Sequence, residues 1–463
     1  MKKILALLLS FALVLGLAAC GGKPADPDAS DPGESARGVR TLAAAAYPEM
    51  APYPNEEDYY DKRGEWDDES YSEDWDKWRD SRAAIRPEDP SYAADVKGYG
   101  KAVVSRLLSG TDGDNRVCSP VNVYMALGML AEITDGSSRQ QILDLMGAAD
   151  LETARRTAET IWRSVYNDDG LYTCTLASSM WLRDHDVDFN QQTLDTLARL
   201  YYADAYAGDP ASQEMNEAMQ DWINDHTGDL LREQASQEKL DAHMVLALIT
   251  AIYYKAGWQS EFYEQFNTQE TFHTPAGDQT CTFMHGREDV YDYGDRFGAV
   301  SRSLGEGGRM LLLLPEEGVA PEDLLTDEEA LTYLTDSVSW DKSKRLQVNL
   351  SLPKFDVASR MDLIPMLADL GVTDVLDDET ADFSPLTADD ADLALTQAAH
   401  AARVKIDEKG VEAAAYTILT VGETAAAEKP EEMDFVLDRP FLFAIVSPDG
   451  LPLFTGVVND PTA

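Results

Sequence analysis

The residue types that carry chemistry are present in this chain but are not arranged for catalysis. Six histidines (His185, His226, His243, His273, His285 and His400) are scattered, with no His-x-x-x-His or Cys-x-x-Cys spacing, so no metal site is indicated. No Gly-x-Ser-x-Gly elbow prepares a serine nucleophile, and no glycine-rich phosphate loop is present. We expect no metal, no cofactor and no catalytic residue. What stands out is a stretch that reads as a strand-competent hinge feeding a long solvated loop. It runs Asp407-Glu408-Lys409-Gly410-Val411-Glu412-Ala413-Ala414-Ala415-Tyr416-Thr417 and continues to Glu432. Read as a strand it has period two: Val411, Ala413, Ala415, Thr417 and Leu419 share one face, and Glu412, Ala414, Tyr416 and Ile418 share the other. The first face is small and uncharged, so it can slide into a sheet without burying a charge. The continuation Thr420 to Pro430 has no core pattern and reads as a long exposed loop.

Glu408, Gly410, Val411, Glu412, Ala413-Ala414-Ala415 and Thr417 resemble the hinge of a serpin reactive-centre loop. Glu-Ala-Ala-Ala by itself reads as helix, since both residue types favour it. The elements around it decide between the two readings.

Those elements match the same family in order. An amphipathic helix is expected over 91–109, with Val96, Tyr99, Val103 and Leu107 at helical spacing. Ser119-Pro120 then caps an apolar helix, with Pro tolerated in the first turn. Asn115 to Asn122 resembles the serpin Asn-x-x-x-Ser-Pro-x-Ser segment, with Asn122 where the family has a second Ser. Met244 to Trp258 is the longest apolar run outside the leader and is expected as a central strand buried on both faces. It resembles the serpin strand Asn-Ala-Ile-Tyr-Phe-Lys-Gly-x-Trp, with Thr250 in place of the Asn. Arg309 to Pro315, Leu352-Pro353-Lys354-Phe355, Arg439-Pro440-Phe441 and Leu453 to Pro461 continue the match, which covers about residues 91 to 461.

The resemblance implies a single α+β domain with a large mixed main sheet, additional smaller sheets, surrounding helices and an exposed reactive-centre loop. It implies an inhibitor, not an enzyme. A serine (sometimes cysteine) protease cuts the loop and forms an acyl-enzyme, and the freed hinge inserts as a strand before hydrolysis finishes. From Glu408 to Thr424 an extended chain spans ~55 Å at about 3.3 Å per residue. Counting along the loop places the reactive bond at Thr424-Ala425. Counting back from Arg439-Pro440-Phe441 moves it toward Ala425-Ala426 or Ala426-Ala427. A small residue precedes the bond in each case, which suits an elastase-like protease, while Glu423 leaves a glutamate-directed one open. Tyr416 is bulkier than the family's usual residue but lies on the outward face. Ser119, Asn122, Thr250, His400 and Trp258 match the region where the sheet opens. There Asn122 and Thr250 read as an exchanged amide and hydroxyl that keep the hydrogen-bond inventory. The alternative is a non-inhibitory serpin acting as a surface binding module.

Composition and leader set the location. The chain has 463 residues and a formal charge of −46, which repels nucleic acid and anionic membrane surfaces. Lys2-Lys3 and the apolar run Ile4 to Leu17 form a signal peptide over 1–20, ending Leu17-Ala18-Ala19-Cys20. The ending resembles a bacterial lipobox, which implies lipid on Cys20 and an exported protein anchored to the membrane, a monomer at the cell surface. Residues 21–46 read as a flexible tether, 47–90 as an acidic aromatic extension whose rings pack on the domain, and 91–463 as the serpin-like domain. Cys118, Cys174 and Cys281 read as free and buried, with one pair among them left open.

Overall fold

The apolar run around Ile249 folds as the strand Leu246–Gly257 and divides its side chains between two cores. Leu246, Leu248, Ile252, Tyr254 and Ala256 enter the large core, and Ala247, Ile249 and Ala251 enter a smaller one. Alternate residues of a strand face opposite sides, so burial of both sets explains why the run is apolar throughout. Helix Pro120–Ile133, buried along its whole length, contributes to the large core; helix Gln213–His226 closes the smaller with Met215, Met219, Trp222 and Ile223. This is a computed structural model, and it describes residues 38–91, 96–184, 188–242, 244–387, 393–411 and 431–463.

In chain order the strands are β1 Arg40–Ala43, β2 Arg116–Cys118, β3 Asn167–Asp168, β4 Tyr172–Arg183, β5 Ala203–Gly208, β6 Leu246–Gly257, β7 Thr268–Thr274, β8 Gly277–Tyr293, β9 Phe297–Ser303, β10 Arg309–Pro315, β11 Ser343–Pro353, β12 Phe355–Asp362, β13 Gln397–Ile406, β14 Gly410–Val411, β15 Glu432–Val436, β16 Phe441–Val446 and β17 Pro452–Val458. The main sheet runs β1-β5-β4-β6-β14-β13-β12, with β3 beside β4. It is mixed, since β4 and β5 are parallel and β6 and β13 are parallel while the other pairs are antiparallel. The second sheet has nine strands in the order β15-β11-β8-β9-β10-β16-β17-β2, with β7 beside β8. The smaller sheets expected from the sequence are joined into this one ladder because the long strand β8 pairs with β7, β11 and β9 along its length.

The extension is part of the fold. β1 pairs antiparallel with β5 and adds an outer strand to the main sheet. The tether expected over 21–46 therefore gives way to ordered structure by Arg40, because Arg40 to Ala43 can satisfy the open edge of β5. Tyr47 lies against Trp162, Tyr166 and Tyr202 at ring distances of 5.8, 6.1 and 5.7 Å. Helix Asp68–Ile85 is fixed through Trp78, whose Nε1 donates to Asp169 Oδ2 at 3.0 Å. Cys118, Cys174 and Cys281 are free and buried. Burial pushes the thiols of Cys118 and Cys174 up to about 12, so they stay protonated and inert at neutral pH. Among the described residues no helix is long and apolar enough to cross a membrane.

Candidate functional site

The site lies between β6 and β13, which pair directly at one end only. There the parallel register runs Gln397↔Ala247, Ala398↔Leu248, Ala399↔Ile249 and His400↔Thr250. At the other end β14 sits between them: Gly410 and Val411 pair with Gly257 and Ala256 on β6, and Val411 pairs with Ile406 on β13. Among the described residues no ladder pair joins Ala251–Lys255 of β6 to β13. The main sheet is thus parted in the middle, with the short strand β14 seated between β6 and β13 at that end.

The sequence at the hinge explains this seating. Asp407 turns the chain back after β13: its N–H bonds to Gly410 O at 3.1 Å and its Oδ1 accepts from Lys409 N at 2.8 Å. Gly410 then passes against β6 so closely that a Cβ would lie 2.2 Å from Ala256 O. Only glycine fits such a backbone approach. Val411 follows and is 3 % exposed, filling an apolar position in the large core.

Three side chains lock the hinge. Glu408 accepts from Lys354 Nζ at 2.9 and 3.0 Å and from Asn267 Nδ2. Burial opposes its charge, but the Lys354 ammonium, the backbone and Asn267 outweigh burial and hold the carboxyl below its ordinary value. Trp258 donates from its backbone N to Lys409 O at 2.8 Å and from Nε1 to Asp407 O at 2.9 Å. Its ring meets Phe262 edge-on at 5.8 Å, and the Arg302 guanidinium stands 5.5 Å from Trp258 and 4.0 Å from Phe262. Arg302 is itself buried and paired with Glu288.

The paired end is built differently. Ser178, Thr250 and His400 form a row across β4, β6 and β13, all buried. Ser119 caps helix Pro120–Ile133 through Oγ, which accepts from Asn122 N at 3.3 Å. Ser119 also donates its own N–H to His400 Nε2 at 2.9 Å. Burial lowers the His400 imidazole to about 4, so it is neutral at physiological pH. The hydrogen bonds expected from an Asn122/Thr250 exchange are not formed. Asn122 Oδ1 and Nδ2, Thr250 Oγ1 and His400 Nδ1 are all buried without a partner among the described residues. The helix cap and the strand ladder fix all three backbones, which sets where these side chains can aim.

The structure therefore brings Ser119, Thr250 and His400 to one end of the opening, and Trp258, Glu408, Gly410 and Val411 to the other. Glu412, Ala413, Ala414, Ala415, Tyr416 and Thr417 lie outside the described residues. So do Glu423, Thr424, Ala425, Ala426 and Ala427, and so does Cys20. Sequence reasoning missed Lys354, Asn267, Arg302 and Glu288. Arg302 left a signal, a cation on the same strand alternation as Val300. The Lys354–Glu408 pair spans 54 positions and left none. No group of three or more His, Cys, Asp or Glu able to hold a metal occurs among the described residues.

Comparison with known proteins agrees with this geometry. The model of the family "Serpin (serine protease inhibitor)" matches residues 97–461. An alpha-1-antitrypsin-like protein of Ictidomys tridecemlineatus is 28 % identical over 395 residues, 81 % of this chain and 90 % of its own. Plasminogen activator inhibitor 1 of Sus scrofa is 28 % identical over 383 residues, 78 % of this chain and 91 % of its own. Among solved structures, the native state of the thermophilic serpin tengpin superposes with a TM-score of 0.72 at 22 % identity, covering 82 % of this chain and 98 % of that one. Human thyroxine-binding globulin superposes with a TM-score of 0.70 at 21 % identity, covering 81 % and 99 %. With the family model spanning most of its length and the parted sheet at its centre, the chain belongs to the serpin family of protease inhibitors.

Proposed function

We propose that this chain inhibits serine proteases as a suicide substrate, through loop cleavage, acyl-enzyme trapping and strand insertion. The observation that carries the reading is Val411, buried between Ala256 and Ile406 above a stretch where β6 and β13 do not pair. The hinge occupies the first position of the strand that insertion would complete. Further insertion gives the unpaired edges of β6 and β13 a ladder. The chain re-emerges in β15, which belongs to the second sheet, so a cut between the two ends frees the hinge side to move without unravelling the other. The small residues Thr424, Ala425 and Ala426 support a small-pocket, elastase-like target. The Leu17-Ala18-Ala19-Cys20 ending supports export and a lipid anchor at Cys20.

The test is incubation of the protein with elastase, followed by denaturing electrophoresis and mass spectrometry of the C-terminal fragment. An SDS-resistant complex and a new N-terminus at Ala425, Ala426 or Ala427 are expected. Complete cleavage without a complex overturns inhibition and leaves a binding module. Loop cleavage with a large rise in thermal stability separates insertion from passive nicking.

A further inference from the structure

Among the described residues, only four large apolar side chains stand well out into solvent, and two of them are neighbours. Tyr263 is 65 % exposed and Phe266 57 % exposed; Tyr60 and Val338 lie elsewhere in the sequence. Their rings touch edge to face, with centroids 5.9 Å apart at 84°. They project from one short 3-10 turn, closed by Phe266 N to Tyr263 O at 2.8 Å and Asn267 N to Glu264 O at 3.1 Å. Scattered surface hydrophobes need no explanation, but a fixed, paired set is what interaction surfaces are made of.

The placement names the partner. Both ends of this turn are fastened to the hinge: Phe262 N donates to Glu408 O at 2.9 Å, and Asn267 Nδ2 donates to Glu408 Oε1. The ring pair is therefore held in fixed relation to the residues that launch the loop. Glu264 is exposed and Glu261 half-buried in segment 258–268, which contains no cation; on the adjoining hinge Lys409 is exposed and Lys354 is paired with Glu408. A chain of charge −46 with an exposed apolar pair in a segment that carries two glutamates and no cation fits a partner with an apolar spot beside basic residues.

The geometry points to Tyr263 and Phe266 as a secondary contact site for the target protease, a cationic serine protease that touches this turn while its cleft holds the loop. The inference rests on the inhibitory reading above for its partner. It differs in what it controls, because such a contact speeds encounter and has no part in insertion.

The experiment compares the protein with its Tyr263→Ser/Phe266→Ser variant against neutrophil elastase, a basic small-pocket protease. The association rate constant is expected to fall about five- to tenfold, as for loss of an aromatic anchor. The stoichiometry of inhibition and the cleaved bond stay the same. An unchanged rate overturns the proposal. So does a slower rate accompanied by a higher stoichiometry, which places the rings in hinge movement instead. If the parent protein is cleaved without forming a complex, the inhibitory reading fails, and kcat/KM for loop cleavage decides the contact site: a fall in the variant supports it and equality overturns it. A loop that elastase does not cut overturns both.

Discussion

β6 and β13 are held together at one end and apart at the other, and the two ends use opposite means. At the hinge end polar groups pair across the turn and are partly reachable from solvent: Glu408 has Lys354 and Asn267, and Trp258 uses both of its N–H groups on the turn after β13, while Asn267 Oδ1 and Arg302 Nε are left without a partner among the described residues. At the paired end the ladder is intact, but four polar atoms beneath it are buried and unmatched. A lock of paired charges and hydrogen bonds at a surface is released by moving one segment. An unmatched cluster under a ladder is a standing cost that any rearrangement supplying a partner relieves. The two strands pair above the buried polar cluster and are held apart where β14 lies between them.

Breaking the hinge end has the largest expected effect. Gly410→Val puts a side chain 2.2 Å from Ala256 O, where the backbone of β6 cannot yield. Insertion then fails at its first residue. The variant is expected to be cut as an ordinary substrate, with the stoichiometry of inhibition raised more than about tenfold, as expected when a close backbone approach is lost. Glu408→Lys is next. It removes the acceptor of three bonds and sets a second cation against Lys354, whose side chain is 36 % exposed. With screening allowed for, a loss of about 2–3 kcal/mol is expected, seen as a lower denaturant midpoint and faster self-association through the opened sheet. A variant as stable as the parent would show that Trp258 and the backbone hold the hinge unaided.

The two ends also differ in how far they could be read from sequence. At the hinge the seating of Gly410 and Val411 was legible because a glycine before an apolar residue is a local feature of one segment, while the alternation and the small residues from Glu412 onward lie outside the described residues. The central strand was legible because a run apolar at every position fits burial on both faces. Glu408–Lys354–Asn267 was not legible, since nothing local says which of many charged residues meets another across three strands. The paired end misled for a related reason. Asn122 and Thr250 carry the right groups to bond, but a cap and a ladder fix their backbones, and side-chain inventory says nothing about where fixed backbones aim. β1 was hidden by composition, because the Ala-rich stretch that follows Arg40 resembles a linker until β5 offers it an edge.

The paired end can be sharpened through His400. Its native imidazole titrates at about 4 and its unfolded value is near 6.5. Between these values the unfolded chain binds the proton and the native state does not. The stability is therefore fully present above about pH 6.5 and is lost as pH falls toward 4, by about 2 kcal/mol at pH 5. His400→Gln keeps an acceptor for Ser119 N–H and removes the titration. The difference between parent and variant in unfolding midpoint is expected to grow from pH 7.5 to pH 5 in favour of the variant. A difference that does not change with pH would mean that the ring is reached by solvent or by a carboxylate.

The smallest change asks whether the unmatched cluster is a cost at all. Thr250 Oγ1 is buried with no partner, so its hydroxyl contributes desolvation and no bond. Thr250→Val keeps the shape and the strand preference and deletes only that oxygen. If the cluster is a standing cost, the variant is more stable by about 1 kcal/mol, measured as a higher midpoint at pH 7.5. The same change removes one group that rearrangement could satisfy, so a stabilised variant should also insert its loop more slowly after cleavage. A destabilised variant would show that the hydroxyl is satisfied in solution. The contrast between the two ends would then lie in exposure alone.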